Sequence, residues 1–372
     1  MFLAFKEMAR AKVRFGLLIA AIGLLVFLIL FQQSLQNGLL TSFVGAIRNQ
    51  SAPVLVYTVD GQRVIQGSVV PPDLEQQVRA LPDAAAVGRI GQGTFTVTAD
   101  DEPADATVLG FEDPDLGAPT TLVEGRLPAA AGEAVASEVD AGMGFDVGDV
   151  VRVEPGGLEI EVVGLARDAQ LNAGPTVYVA YGTYLDAVRS ANPDAGEPLP
   201  NVLGVAPVDG LAPEALAEQI NDLSEDLDAL PRDVAADETP GVSQIQQSFR
   251  VIFLLYGLVI PCVTALFFLI VTFQKSRALT LLRAIGAPTR RLVSSLLLQA
   301  VIIVGVGFAI GVALYAPVSQ LRVGGLQLRF ETAAVTTWAI LLLALGVGSS
   351  LLAVRRVLAI EPVEATTGGG EL

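Results

Sequence analysis

Apolar residues are laid along this chain in two ways. In four uncharged stretches, 15–47, 251–274, 292–321 and 332–354, they run almost without interruption. Each stretch is longer than the roughly 20 residues that cross the hydrocarbon of a bilayer as a helix. Between the first and the second the pattern changes. Short alternations of apolar and polar residues, broken by Gly, Pro and Asp, predict the strands and brief helices of a folded domain. The layout is one span, a domain and three spans. Spans are expected at 15–35, 251–274, 292–316 and 332–354, with a short external link at 317–331.

The edges of the first two spans carry a second pattern. Past Phe31 come Gln32, Gln33, Ser34, Gln36 and Asn37, while Leu35, Leu39, Phe43 and Ile47 recur at helical steps. Residues 36–50 are therefore expected to extend the first helix beyond the hydrocarbon. Ahead of the second span, 241–250 holds Gln244, Gln246, Gln247 and Ser248 and is expected to do the same, so the pair makes a stalk beneath a domain at 51–240. Residues 1–14 set Phe2, Leu3, Phe5, Met8 and Ala9 against Lys6, Arg10 and Lys12, the pattern of an amphipathic helix in the headgroup layer. A retained first helix is expected rather than a cleaved signal peptide. Its uncharged run is too long, and no small-x-small cleavage site closes it.

Within the domain, residues 54–59 and 63–65 flank Asp60-Gly61, a pair that predicts a β-hairpin. A helix is predicted at 72–81, with proline in its first turn and Pro82 past its end. Strands are predicted at 94–98, 107–111, 150–153, 158–163 and 176–179. Residues 213–230 predict an acidic helix with Leu216, Ile220, Leu223, Leu227 and Leu230 on one face. Links are expected at 192–200 and 233–241, and a disordered tail at 366–370. The fold class expected is an α-helical membrane protein with four transmembrane helices, one plus three, and an extracytoplasmic mixed α/β domain inserted between the first two.

Charge orients this layout. Lys6, Arg10, Lys12 and Arg14 precede the first stretch; Lys275, Arg277, Arg283, Arg290 and Arg291 lie between the second and third; Arg355 and Arg356 follow the fourth. All three lysines of the chain are in this set. Residues 36–248 hold 34 Asp and Glu against nine Arg, a net charge near −25. Short loops rich in Lys and Arg stay in the cytoplasm. Both termini, the tail 355–372 and the 275–291 loop are thus expected inside a bacterial cell membrane, with the large domain outside. Arg322 and Arg329 in the external link are too small an exception to reverse that bias.

Composition removes several function classes. A nucleic-acid partner needs a basic face, which the acidic domain lacks. With no His and one Cys, His-ligated zinc and Cys-His or Ser-His-Asp catalysis are excluded, and no intrachain disulfide can form. Cys262, after Pro261 in the second stretch, reads as a small packing residue. A phosphate-cradling loop ends Gly-Lys-Ser/Thr, and none of Lys6, Lys12 and Lys275 follows a glycine. No cofactor and no catalytic residue are expected on this chain; if ATP drives it, another chain hydrolyses the ATP. The spans hold no acidic or basic residue, which argues against an ion relay.

The most pointed cytoplasmic element is 274–291. Residues 278–285 predict a short helix with an apolar face and Arg283 opposite; Gly286 suits its left-handed end and Pro288 the first turn of the next helix. A stiff helix joined by a tight corner to a span is a lever, whereas the bland alternative is a loop whose arginines only set topology. Gly307 and Gly311 form a Gly-x-x-x-Gly pair in the third span, open to a partner chain or to packing within this one. Phe27, Phe31, Phe249 and Phe253 lie near the outer ends of the first two spans, as a candidate gateway for an apolar substrate or as lipid-facing or dimer packing. The acidic pairs Asp100-Asp101 and Glu112-Asp113 read as solvated loops rather than metal ligands.

Leu281-Leu282-Arg283-Ala284-Ile285-Gly286-Ala287, with Arg290-Arg291 and an apolar span behind it, resembles the permeases of MacB/FtsX-type ABC transporters. The closing run from Val354-Arg355-Arg356 to Glu361-Pro362-Val363-Glu364-Ala365 is similar to that family's C-terminal segment. Glu124-Gly125-Arg126, Glu133-Ala134-Val135-Ala136-Ser137, Gly144-Phe145-Asp146-Val147-Gly148-Asp149 and Ile160-Glu161-Val162-Val163-Gly164 resemble its periplasmic core. The resemblance implies a permease homodimer in membrane lipid with two copies of a cytoplasmic ABC ATPase subunit, which bind ATP and Mg. It also implies coupling through Arg277, Leu281, Leu282, Arg283, Ala284, Ile285 and Gly286. MacB carries its ATPase and a long linker on the same chain, whereas this one is expected to start directly at its first span. That places it nearer the stand-alone permeases, DevC-like and HrtB-like haem-efflux permeases included.

The function expected is the permease subunit of an ATP-driven exporter. It would extrude a hydrophobic or amphipathic substrate (haem, a lipid or lipopeptide, or a drug) from the outer leaflet by mechanotransmission. Without His, haem would need contacts from Tyr, Met, Glu or apolar groups. The alternative is an FtsX-like signalling subunit that controls an extracytoplasmic cell-wall hydrolase. A passive membrane-anchored binding protein would have no use for the 275–291 lever.

Overall fold

A computed structural model describes residues 12–196, 198–274, 289–323 and 326–358. The amphipathic segment 1–11, the segment 275–288 and the tail 359–372 lie outside the described residues. The chain divides into two units, one of 37–247 with 324–326, the other of 1–36, 248–323 and 327–372.

The 37–247 unit opens with the end of helix α1 (Lys12–Arg48), then strand β1 (Val54–Thr58), helix α2 (Pro72–Arg79) and the long hairpin of β2 (Ala84–Ala99) and β3 (Glu102–Phe111). Strands β4 (Leu122–Gly125), β5 (Glu133–Ser137), β6 (Val150–Val153), β7 (Leu158–Ala166) and β8 (Thr176–Ala180) follow. Helix α3 (Tyr181–Ala191), β9 (Val202–Pro207), α4 (Pro213–Asn221), β10 (Leu227–Pro231), α5 (Arg232–Glu238) and the start of α6 (Val242–Gln274) complete it. The sheet runs β10-β1-β9-β2-β3-β8-β5-β7-β4, with β6 pairing both β2 and β7. β6 thereby closes β2, β3, β8, β5 and β7 into a ring around one buried cluster that includes Phe95, Val108, Phe145, Ile160 and Val177.

The other half, β10-β1-β9-β2, is antiparallel throughout. Every residue of β1 is buried, and its two faces serve different cores. Val54 and Val56 join Leu74 and Val78 of α2 with Leu216 and Ile220 of α4. Leu55 and Tyr57 join Val44 and Ile47 of α1, Ala235 of α5 and Val242 of α6. That division is the two-residue period of a strand, and a strand covered on both faces reads as an unbroken apolar run. The face lined by Leu55 and Tyr57 is where the domain holds the ends of α1 and α6.

Three local expectations are corrected. Residues 54–65 form no hairpin: β1 pairs with β10 and β9, and the chain after Thr58 winds through two 3₁₀ turns, Val59–Gly61 and Ile65–Gly67. Gln62 and Arg63 hold left-handed angles, φ 49° and 62°, and a side chain at Gly61 would stand 2.6 Å from Ser68 Cα. Arg63 is drawn instead to Asp228 of β10 (2.7 Å) and to Glu238 of α5.

The helix expected over 213–230 stops at Asn221, whose Nδ2 donates to Ala229 O (3.0 Å) while its Oδ1 accepts from Ala229 N (2.6 Å). The side chain thus caps the returning strand, and Leu227 enters the same cluster from β10. Leucines three and four apart fit a helix face or a helix-turn-strand equally well. Most of the link expected at 233–241 is helical, in α5 (Arg232–Glu238), because Ala235 and Ala236 are buried against β1.

The other unit holds most of α1 and α6, then α7 (Thr289–Val318), β11 (Arg322–Val323), Gln327 of the two-residue strand β12 (Leu326–Gln327), and α8 (Thr332–Leu358). Four transmembrane helices were expected. Among the described residues two helices are long and apolar enough to cross a membrane, Phe15–Arg48 and Leu297–Val318, and Thr332–Gly348 is a shorter apolar helix. The other expected spans, 251–274 and 332–354, are helical within α6 and α8. The core of this unit joins Phe15, Ile22 and Val26 of α1 to Ile303 of α7 and to Trp338 and Leu342 of α8.

Candidate functional site: two grips on helix α1

In its membrane part, α1 is held by close approach to α7. A Cβ on Gly307 would lie 2.8 Å from Ile22 Cγ2, and one on Gly311 would lie 2.6 Å from Val26 Cβ and 2.7 Å from Gly23 O. The Gly-x-x-x-Gly pair is thus filled by the chain's own first helix. Small residues at such a seam let backbones approach and gain dispersion contact where the hydrophobic effect gives no drive. Gly305, two residues earlier, faces open space.

A polar tie sits at the end of this seam. The buried Ser34 Oγ accepts from Arg329 N (3.0 Å) and donates to Arg329 O (3.3 Å), and the Tyr315 hydroxyl donates to the same carbonyl (2.8 Å). The Tyr315 ring stacks on Phe330 at 5.8 Å. One serine thus pins the segment before α8 to α1, although Ser34 carried no sequence signal beyond its place in a polar run.

The gateway phenylalanines separate into two pairs, each within one helix: Phe27 with Phe31 at 6.1 Å on α1, and Phe249 with Phe253 at 6.5 Å on α6. Phe253 also meets Trp338 at 5.6 Å. Phe27, Phe31 and Phe253 pack against the helix core, and Phe249 is buried. Along α6, Leu254, Leu258, Leu266 and Cys262 are exposed. The coupling residues Arg277, Leu281, Leu282, Arg283, Ala284, Ile285 and Gly286 lie outside the described residues.

In its domain part, α1 is held by hydrogen bonds. The helix loses helical geometry at Val44 (φ −133°, ψ 16°), where Val44 forms a β-bridge with Leu171. Around that break Ala46 N donates to Gln170 O (2.8 Å), and Ser42 O and Phe43 O accept from Ala173 N (2.8 Å) and Asn172 N (3.1 Å). Asn49 Nδ2 reaches Asp168 O (2.9 Å), and a Cβ on Gly45 would stand only 2.5 Å from that oxygen. Past the helix, Ser51 N donates to Ala118 O (2.9 Å) and Thr120 N to Asn49 O (2.8 Å). The Tyr178 hydroxyl donates to Ala169 O (3.0 Å); burial pushes its pKa far up, so it stays a neutral donor.

The start of α6 meets the same place. Arg48 pairs with Asp237 of α5 at 2.6 Å, Gln246 Nε2 lies 3.4 Å from the same carboxylate, and Phe43 Cε1 would be 3.6 Å from a Cβ on Gly241. Both members of the Arg48–Asp237 pair are well exposed (38% and 55%), so the pair adds little to stability. Buried backbone bonds and apolar packing carry this grip.

Charged groups elsewhere in the domain are structural. Glu75 of α2 is buried, which works against its ionisation, but bonds from Arg89 and Arg79, each 2.8 Å, outweigh that and hold its pKa down. Glu112 belongs to this cluster, accepting from Arg79 Nη2 (2.9 Å) and Arg89 N (2.9 Å), so it is not a free loop acid. Asp113 Oδ1 caps the next turn at Asp115 N (2.9 Å). Asp100 and Asp101, φ 49° and 60°, form the two-residue turn of the β2–β3 hairpin, where both positions need left-handed angles.

Residues 250–362 match the family of FtsX-like permease C-terminal domains. Over 99% of its length and 99% of the relative's, the chain is 24% identical to an uncharacterised ABC transporter permease of Mycobacterium tuberculosis. It is 21% identical, over 98% of its own length and 99% of the relative's, to a protein of Staphylococcus haemolyticus named as the hemin transport system permease HrtB. The MacB/FtsX-type resemblance read at residues 281–287 agrees with these matches: 250–362 is similar to FtsX-like permease domains, and the full-length relatives carry the names of ABC transporter permeases. Among solved structures, the periplasmic region of MacB from Actinobacillus actinomycetemcomitans aligns with a TM-score of 0.37 at 15% identity, covering 50% of this chain and 92% of that one.

Proposed function

We propose that this permease subunit works in an ATP-driven exporter, extruding a hydrophobic or amphipathic molecule from the outer leaflet by mechanical transmission. Two copies pair with two cytoplasmic ATPase subunits, which bind ATP and Mg and push on the 275–291 segment through Arg277, Leu281, Leu282, Arg283, Ala284, Ile285 and Gly286. Both termini lie in the cytoplasm and the acidic domain lies outside. The observation that carries this reading is the hydrogen-bonded seat of α1 at Val44 and Leu171. A domain that only had to be tethered could hang on a flexible link, whereas one that is driven needs its helix fastened. Phe27, Phe31, Phe249 and Phe253, near the outer ends of α1 and α6, would have to open from their packing to meet such a molecule. Three staphylococcal relatives carry hemin in their names; with no His in this chain, haem would be held by apolar contact or by Tyr, Met or Glu rather than imidazole.

The match of 250–362 to FtsX-like permeases favours a second reading, in which the same drive controls an external cell-wall hydrolase and moves no cargo. One experiment separates the two. The chain is purified with the ATPase encoded beside it, placed in lipid nanodiscs, and its ATPase activity measured with haem, lipopeptide or drug. The exporter reading expects substrate to stimulate hydrolysis and Arg283→Glu to abolish that stimulation. Stimulation by a hydrolase alone, with no response to any small molecule, selects the signalling reading. If no ATPase co-purifies, both are wrong.

A further inference from the structure

The break in α1 is made by a seven-residue loop, and the loop is set by a buried acid that no sequence pattern marked. Asp140, in the turn after β5, has no exposed surface. Its Oδ1 accepts from Gln170 Nε2 (2.6 Å) and its Oδ2 from Thr176 N (3.1 Å). Thr176 extends this hold: its Oγ1 accepts from Leu171 N (3.0 Å) and donates to Gly174 O (2.9 Å). One carboxylate thus fixes both ends of the loop 168–174.

The loop is held in a conformation that its residues disfavour. Asp168, Asn172 and Ala173 all have left-handed angles, φ 54°, 54° and 56°. Asp and Asn tolerate that region; Ala has no side-chain bond to compensate for its Cβ clash. In this form the loop intercepts the helix ladder. Ala46 N, whose ordinary helical acceptor would be Ser42 O, donates to Gln170 O, and Ser42 O receives Ala173 N. Release of the loop would free both halves of that helical bond to close on each other. Two arrangements of the same groups are therefore available: a strained loop with a broken helix, or a relaxed loop with a continuous one.

We infer that loop 168–174 is a latch on the stalk helix and that Asp140 is the positioning residue that keeps it engaged, so that Asp140 sets how motion of α1 passes into the external domain. The inference rests on the mechanical reading above for its purpose, but not for its structural half. Charge-assisted bonds to a buried carboxylate are among the strongest available to hold a strained segment.

The test uses the full chain with its ATPase in nanodiscs. Asp140→Asn keeps the shape and loses one of the two acceptors, since an amide offers a single oxygen. Hydrogen exchange at 42–47 and 168–176 is expected to quicken about tenfold or more, while strands 54–58 and 202–207 keep their protection. Ala173→Gly, which removes the left-handed clash without touching Asp140, is expected to slow exchange at the same amides. It keeps the question open to measurement if Asp140→Asn misfolds. Unchanged exchange in both variants overturns the latch. Exchange altered in both, with substrate-stimulated hydrolysis as in the wild type, overturns its role in transmission while the exporter reading stands on Arg283→Glu. Loss of stimulation in Asp140→Asn with basal hydrolysis retained supports the whole inference.

Discussion

Helix α1 is gripped twice, and the two grips differ in kind. In the membrane unit it lies against Gly307 and Gly311 of α7, with Ile22 and Val26 filling the space the glycines leave. In the domain it is broken at Val44 and tied by backbone bonds to loop 168–174. Each grip follows from its solvent. Where lipid surrounds a helix, an opened ladder would expose unmet amides at high cost, so contact comes through shape. Outside, the buried amides freed by a break can be met by another segment, so contact comes through hydrogen bonds. A shaped seam permits small sliding; a bonded seat tends to hold or release.

That contrast can be broken at several points. The largest effect expected is from Leu171→Ala, which empties a buried position beside Val44: about 3 kcal/mol lost from the domain, read by chemical unfolding of the full chain. Gly311→Val, forced against Val26 and the Gly23 carbonyl, is expected to cost about 2 kcal/mol in the membrane unit, read as thermal stability in detergent. Ser34→Ala removes a buried hydroxyl that serves both Arg329 N and Arg329 O and should cost about 1 kcal/mol in that assay. Gly305→Val, facing open space, is expected to change stability by less than about 0.5 kcal/mol. If Gly305→Val proves as harmful as Gly311→Val, shape is not what holds α1 there.

Surface charge is expected to matter least. A double-mutant cycle on Arg48 and Asp237 should give less than about 1 kcal/mol and fade with added salt. Glu133 offers a pH test remote from either grip. Its bonds with Arg126 and the Ala129 amide pull its pKa from 4.5 to about 2. A carboxylate with a lowered folded pKa stabilises the fold above its unfolded pKa and loses that contribution as pH falls towards the folded one. Wild type and Glu133→Gln should therefore differ by a constant amount at neutral pH and converge as pH drops from about 4.5 to about 2, followed by unfolding across that range. A gap that persists at low pH would mean that Glu133→Gln destabilises the domain through packing rather than charge.

Much of this was legible in the residues. The uncharged stretches mark where helices are to be found, and the resemblance to MacB/FtsX-type permeases was carried by Leu281 to Ala287 and the closing Pro362-Val363-Glu364-Ala365, in agreement with the match of 250–362 to FtsX-like permeases. The helix at Pro72 and the strands from Thr94 to Thr98 and Leu158 to Val163 were visible as periodicity. Other signals were ambiguous. Asp60-Gly61 is a hairpin pair, but β10 and β9 outcompete residues 63–65 for β1 because they supply a full strand on each side. Leu216 to Leu230 has helical spacing, yet Asn221 ends the helix by bonding the strand that returns. Asp140 had no local mark at all, since its partners Gln170 and Thr176 lie in a different segment.

Length, apolarity and charge are sums over neighbouring residues, and so the number and order of the uncharged stretches, the acidity of the inserted domain and the absence of histidine chemistry could be read without coordinates. The choice of hydrogen-bond partner is not such a sum. That β6 closes a ring, that Gly311 meets Val26 of the same chain, and that Ala46 N goes to Gln170 are outcomes of competition between groups far apart along the backbone. The contestants for each donor are similar in kind, and the packing of the whole domain selects among them.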